Sequence, residues 1–179
     1  DAKVEIKCFA MHLIGSHGPT YFQRYPRDKA FFKPDCPRAD IENCSVEQIV
    51  NTYDNTIRYT DLVLAETINK LKALESQYNT ALIYVSDHGE SLGENGLFLH
   101  GMPYGLAPDF QKRVPLLMWL SSGFKQAKKI NTDCLSNEAQ KAGQYSHDNV
   151  FHSLLGVMDV QTQAYDGKLD IFKDCRTTS

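Results

Sequence analysis

Ser86-Asp87-His88-Gly89-Glu90 gathers a carboxylate, an imidazole and a second carboxylate directly after the apolar run Ala81 to Val85. An aspartate oxygen and a neutral histidine nitrogen are both good ligands for zinc. Neighbouring side chains on a regular strand point to opposite faces, so Asp87 and His88 can share an ion only where the strand has ended and the backbone turns. Gly89 permits that turn. The alternative is an aspartate that caps the turn beside a histidine bonded to a backbone carbonyl. Glu90 stands where it could be an outer acceptor that orients a ligand, or a ligand of a second ion.

Two further imidazoles share this local character. His100 lies in Leu99-His100-Gly101, after the glycine-bearing stretch Ser91-Leu92-Gly93-Glu94-Asn95-Gly96, and His17 lies in Gly15-Ser16-His17-Gly18-Pro19. Any one histidine near a turn is ordinarily a structural residue. Convergence of His17, His88 and His100 with Asp87 would instead build a metal and phosphate site. His12, His147 and His152 fit structural roles better, with His147 near a helix start and His152 one turn into that helix. No serine, threonine or cysteine has the flanks of an activated nucleophile, and neither a G-x-S-x-G elbow nor a P-loop is present. Thr20, close to His17, reads as a turn residue.

Positioning these groups requires strands that end where loops can share a crevice, as in open α/β sheets. Three short apolar runs stop abruptly in polar or turn residues: Cys8 to Ile14, Ala81 to Val85, and Val114 to Leu120. Continuous hydrophobicity is the pattern of strands covered on both faces. Between the first two, Ser45 to Leu74 repeats apolar residues at helical spacing, with Ser45 and Gln48 forming a capping box. Another helix begins near Ser146 or Asp148. Alternating strands and helices predict an α/β layered domain with a largely parallel central sheet flanked by helices. Residues 1–179 read as one unit without a linker or repeat.

Composition narrows the function. The 179 residues carry 19 basic and 22 acidic side chains, a balance without the positive field that nucleic-acid binding needs. No apolar run approaches the ~20 residues that cross a bilayer. The segment Tyr21 to Arg38 is locally basic and aromatic, which suits an anionic headgroup but equally a solvated loop. Cys36 and Cys44 bracket a short loop and read as a disulfide, with two separate thiols as the alternative. Cys8, in an apolar run, reads as a buried core residue. Spacing leaves any pairing of Cys134 with Cys175 open.

Taken together, I-G-S-H-G-P-T-Y from Ile14, N-T-Y-D-N-T-I from Asn51, S-D-H-G-E-S-L-G-E-N-G from Ser86, L-H-G from Leu99, V-P-L-L-M-W-L from Val114 and S-H-D-N from Ser146 resemble a known family. The sequence is similar to the bacterial lipid A phosphoethanolamine transferases, which include the mobile colistin-resistance enzymes and belong to the alkaline phosphatase and sulfatase superfamily. The resemblance implies a zinc-dependent periplasmic catalytic domain carried by an inner-membrane enzyme. It implies transfer of phosphoethanolamine from phosphatidylethanolamine to a threonine, then to a lipid A phosphate.

Matched motif by motif, the resemblance makes Asp87 and His88 ligands of the main zinc. His17 and His100 would position the transferred phosphate group or hold a second zinc, and Cys36 and Cys44 would form a periplasmic disulfide. The family's membrane region, remaining zinc carboxylate and threonine nucleophile precede the first motif. The expectation is therefore the C-terminal portion of the catalytic domain, with no nucleophile of its own and inactive alone. Two alternatives stand beside it: a phosphatase or sulfatase of the same superfamily, and a non-catalytic binding module.

Overall fold

The computed structural model describes residues 6–141 and 143–177. The chain divides into two compact units. Of the described residues, one unit takes in Ala10–Lys70 and Ile83–Met118; the other takes in those up to Phe9, Leu71–Leu82 and those from Trp119.

In the first of these units the long helix α1, Val46–Ala73, starts where the capping box was expected. Gln48 N donates to Ser45 Oγ at 3.2 Å while Ser45 N donates to Gln48 Oε1 at 2.9 Å, so two otherwise orphaned amides are satisfied. The buried face of α1 is mixed, with Ile49 beside Thr52, Asn55 and Thr56. Buried polar groups persist where they are hydrogen-bonded. Asn55 Oδ1 accepts from Phe31 N and Phe32 N at 2.7 and 2.8 Å, and Thr52 Oγ1 accepts from Cys36 N at 2.6 Å. The loop before the helix is thereby laced to it. The Cys36–Cys44 disulfide closes the same loop, and both sulfurs pack with Tyr21, Ile41 and Ile49 in the core. Two of its basic residues are paired locally, Arg27 with Asp35 at 2.8 Å and Arg38 with Asp40 at 2.9 Å.

The strands are β1 (Ala81–Val85), β2 (Ser91–Leu92), β3 (Phe98–Leu99) and β4 (Leu116–Leu120), with the single-turn helix α2 (Asp109–Lys112) between the last two. β1 pairs with β4, and β2 with β3. Ser86 N donates to Pro115 O past one end of the first pair, and Ser121 N donates to Thr80 O past the other. Only antiparallel strands meet in that order. The mixed α/β class agrees with the sequence reading, but a parallel pair would need a crossover helix. Residues 86–115 supply a hairpin and one helical turn instead.

Cys8 to Ile14, expected as a central strand, carries no regular element and pairs with no described strand. Its side chains lie open, Phe9 at 83% and Met11 at 71% exposure, and Cys8 is an exposed free thiol rather than a core residue. Apolar composition alone does not make a strand without a neighbour to take its backbone hydrogen bonds.

The other unit holds α3 (Ser122–Ala127), α4 (Thr132–Ala139) and α5 (Asp148–Val157). Ser121 caps α3 by accepting from Phe124 N, and Asn131 caps α4 by accepting from Cys134 N. The C-terminal stretch returns to this unit: Cys175 is bonded to Cys134, and Arg176 donates to the carbonyls of Lys128 and Gly156 at 3.0 and 2.9 Å. Phe172, with no exposed surface, is its most deeply buried aromatic. Among the described residues no helix is long and apolar enough to cross a membrane.

Candidate metal and phosphate site

The β2–β3 hairpin sets the geometry. Ser91 faces Leu99 and Leu92 faces Phe98, so the next pair outward is Glu90 and His100. Directly opposed residues of an antiparallel pair point to one face, and His100 Nδ1 lies 3.0 Å from Glu90 Oε1. Leu99, immediately before His100, has a φ of 63°, a left-handed conformation rare for a branched side chain. Its side chain packs against the core around Tyr21, which holds that conformation in place.

His17 is brought in by different means. Ser16 accepts a 2.6 Å hydrogen bond from Thr56 on α1, and Gly18 N donates to Glu90 Oε1 at 3.2 Å. A methyl group at position 18 would stand 2.5 Å from Leu99 Cδ2 and 2.6 Å from the Tyr21 ring, so only glycine lets the backbone come this close. A Cβ at Gly89 would likewise collide with the backbone carbonyl of Phe110. Arg24 braces the loop further, donating to His17 O at 3.1 Å and Thr20 Oγ1 at 2.8 Å.

The three imidazoles meet. Ring centroids are 4.0 Å apart for His88 and His100, 4.9 Å for His17 and His100, and 6.2 Å for His17 and His88. Each has an oxygen at Nδ1: Gly18 O at 2.7 Å for His17, Gly89 O at 3.0 Å for His88, and Glu90 Oε1 for His100. A carbonyl or carboxylate oxygen can only accept, so each Nδ1 carries a proton; in the neutral form of such a ring the Nε2 lone pair is free. That is the form in which imidazole binds a metal or takes up a proton.

Asp87 sits at the rim. Its side chain is 77% exposed, and Oδ2 lies 3.9 Å from His88 Nε2, with Oδ1 accepting from His88 N. Among the described residues, the cluster able to hold a metal ion is His88, Glu90 and His100, whose ligating atoms lie within 4.8 Å of one another. Glu90, with its side chain only 3% exposed, already accepts from three donors: Gly18 N, His100 Nδ1 and Tyr21 Oη. Burial first, then the Glu90 charge, drive the Tyr21 phenol far above its ordinary range, so it remains a donor. Sequence reasoning counted Tyr21 as one aromatic in a basic loop. Its distance of four residues from His17 was the available signal.

His12 is exposed, His147 precedes α5, and His152 Nδ1 accepts from Asp166 N at 3.0 Å in the other unit.

Residues 7–160 match the family described as Sulfatase. The chain belongs to the sulfatase family. Among relatives in this family, it is 49% identical over 169 residues to the phosphoethanolamine transferase EptA of Salmonella typhimurium, covering 94% of this chain and 31% of that protein. It is 40% identical over 150 residues to the phosphatidylethanolamine transferase Mcr-2 of Escherichia coli, covering 84% of this chain and 26% of the relative. The chain thus spans about a third or less of the length of these curated relatives. Among solved structures, the soluble domain of lipooligosaccharide phosphoethanolamine transferase A from Neisseria meningitidis superposes with a TM-score of 0.87 at 43% identity, over 92% of this chain and 49% of that one.

Proposed function

We propose that this chain is the C-terminal portion of the periplasmic catalytic domain of a zinc-dependent enzyme. That enzyme transfers phosphoethanolamine from phosphatidylethanolamine to a lipid A phosphate through a phosphothreonine intermediate. Polymyxin and colistin resistance of the host bacterium is the consequence. The observation that carries the reading is the convergence of His17, His88 and His100 with every Nε2 free. Similarity to phosphoethanolamine transferases supports the choice of transferred group. The two disulfides suit an oxidising location at the periplasmic face of the inner membrane.

Nitrogen and carboxylate donors of this kind fit zinc. Bound there, zinc would supply the charge that acidifies a hydroxyl nucleophile and neutralises phosphoryl oxygens. Asp87 and His88 are the chain's ligands for it. His17 and His100 hold the phosphoryl group, each donating from Nε2 once protonated there, or hold a second ion. Glu90 stands behind them. The threonine nucleophile, the remaining zinc carboxylate and the membrane anchor belong to other parts of the enzyme, so the isolated chain would not catalyse transfer.

The test uses the parent enzyme in membranes supplied with phosphatidylethanolamine and lipid A. Lipid A should gain one phosphoethanolamine by mass, and His88→Ala should abolish the gain and lower bound zinc. Release of free phosphoethanolamine without lipid A modification would support a hydrolase of the same superfamily instead. Native protein without zinc would reduce the chain to a binding module.

A further inference from the structure

We propose that Glu90 is a positioning residue that fixes the tautomer and orientation of His100, and is not itself a ligand of the metal ion. The inference rests on the functional reading above. Proximity alone permits the opposite, because the ligating atoms of His88, Glu90 and His100 all lie within 4.8 Å of one another.

The hydrogen-bond inventory decides between the two. Glu90 Oε1 accepts from Gly18 N at 3.2 Å and from His100 Nδ1 at 3.0 Å, while Oε2 accepts from Tyr21 Oη at 3.2 Å. An ionised carboxylate offers about four lone-pair directions, so three donors nearly fill it. A metal taking Glu90 would compete with these donors in a place where solvent cannot replace the lost bonds, since the side chain is 3% exposed. His100 cannot use Nδ1 for the metal while that atom donates to Glu90. Its Nε2 is then the only free nitrogen.

The donors also come from separate places in the sequence. Gly18 belongs to the His17 loop, Tyr21 to the core, and His100 to the far side of the hairpin. One carboxylate therefore ties two of the clustered imidazoles to the packed interior. Carboxylates behind metal-binding or catalytic imidazoles set ring orientation in this way, and their loss typically costs about 10–100-fold in affinity or activity.

Nitrogen NMR of the imidazoles in the zinc-free 179-residue chain tests the proposal independently of catalysis. The expected spectrum has the His100 proton on Nδ1, protected from solvent exchange, and this signal persists when zinc is added. A proton on Nε2, or loss of the Nδ1 proton on zinc addition, overturns it. Glu90→Gln provides a second reading: zinc stoichiometry is retained, affinity falls about 10–100-fold, and His100 becomes a mixture of tautomers. Loss of a whole zinc equivalent with the tautomer unchanged would make Glu90 a ligand and sink the proposal. If the parent enzyme binds no zinc at all, the functional reading fails, while the tautomer measurement still decides the role of Glu90.

Discussion

His88 and His100 lie face to face, their ring centroids 4.0 Å apart and their planes inclined by 31°. They arrive from the two strands at the open end of the hairpin, His88 before β2 and His100 after β3, and each is anchored through Nδ1. Two lone pairs held so close form a ready site for one cation, or, once protonated, for one anionic group. Alanine at His88 should lower zinc affinity by more than the roughly 10–100-fold typical of an outer partner, whereas alanine at His100 should mainly impair phosphate positioning. Titration with zinc against a competing chelator measures the first; unchanged affinity in the His88 variant would show that this imidazole does not bind the ion.

Gly18→Ala tests how tightly the His17 loop is packed. Its new methyl would crowd Leu99 and the Tyr21 ring at 2.5 and 2.6 Å. Overpacking of this kind costs about 1–3 kcal/mol, and relief by backbone movement would stretch the Gly18–Glu90 hydrogen bond. Urea denaturation should show the loss, and amide exchange at residue 18 should speed up. A variant with unaltered midpoint and exchange would mean that the loop yields freely.

The two disulfides should contribute unequally. Cys134 and Cys175 are separated by 41 residues, whereas Cys36 and Cys44 are separated by 8. Loop entropy then predicts a cost of roughly 4 kcal/mol for replacing the first pair by serine and roughly 2.5 kcal/mol for the second. Cys36 and Cys175 are equally buried, so packing does not separate the cases. Denaturation of the two double variants gives the order, and a reversed order would place strain or packing above chain entropy.

Asp159 should make stability depend on acid pH. Burial works to raise its carboxyl, yet hydrogen bonds from Lys128 and Arg176 outweigh that, and its pKa is held below the ordinary range. A depressed folded-state pKa stabilises above the unfolded value of about 3.9 and loses that contribution as pH falls through the folded value. The difference in unfolding free energy between native chain and Asp159→Asn should be steady near neutrality and shrink at acid pH. An acid-independent difference would show that the ion pairs carry no net stabilisation.

Local signals in the sequence proved readable wherever one stretch of chain decides its own structure. Ser45 and Gln48 announced the start of α1, and the apolar runs before Ser86 and Ser121 became β1 and β4. The meeting of His17, His88 and His100 was legible through glycine neighbours and resemblance together. Strand direction was not, because it depends on what the connection from residue 86 to 115 contains. Tyr21 was missed for a related reason. Its partnership with Glu90 spans 69 residues and becomes visible only once the hairpin and the His17 loop meet.

Pairing of Ser91 with Leu99 has one more implication. Because side chains alternate along a strand, slipping the two rungs of this hairpin by a single residue would turn the His100 ring to the opposite side and strand the Glu90 carboxylate. The bend around Asn95 can lengthen or shorten without harm only if those rungs keep their alignment. A two-rung ladder thus acts as the phase reference for the whole cluster.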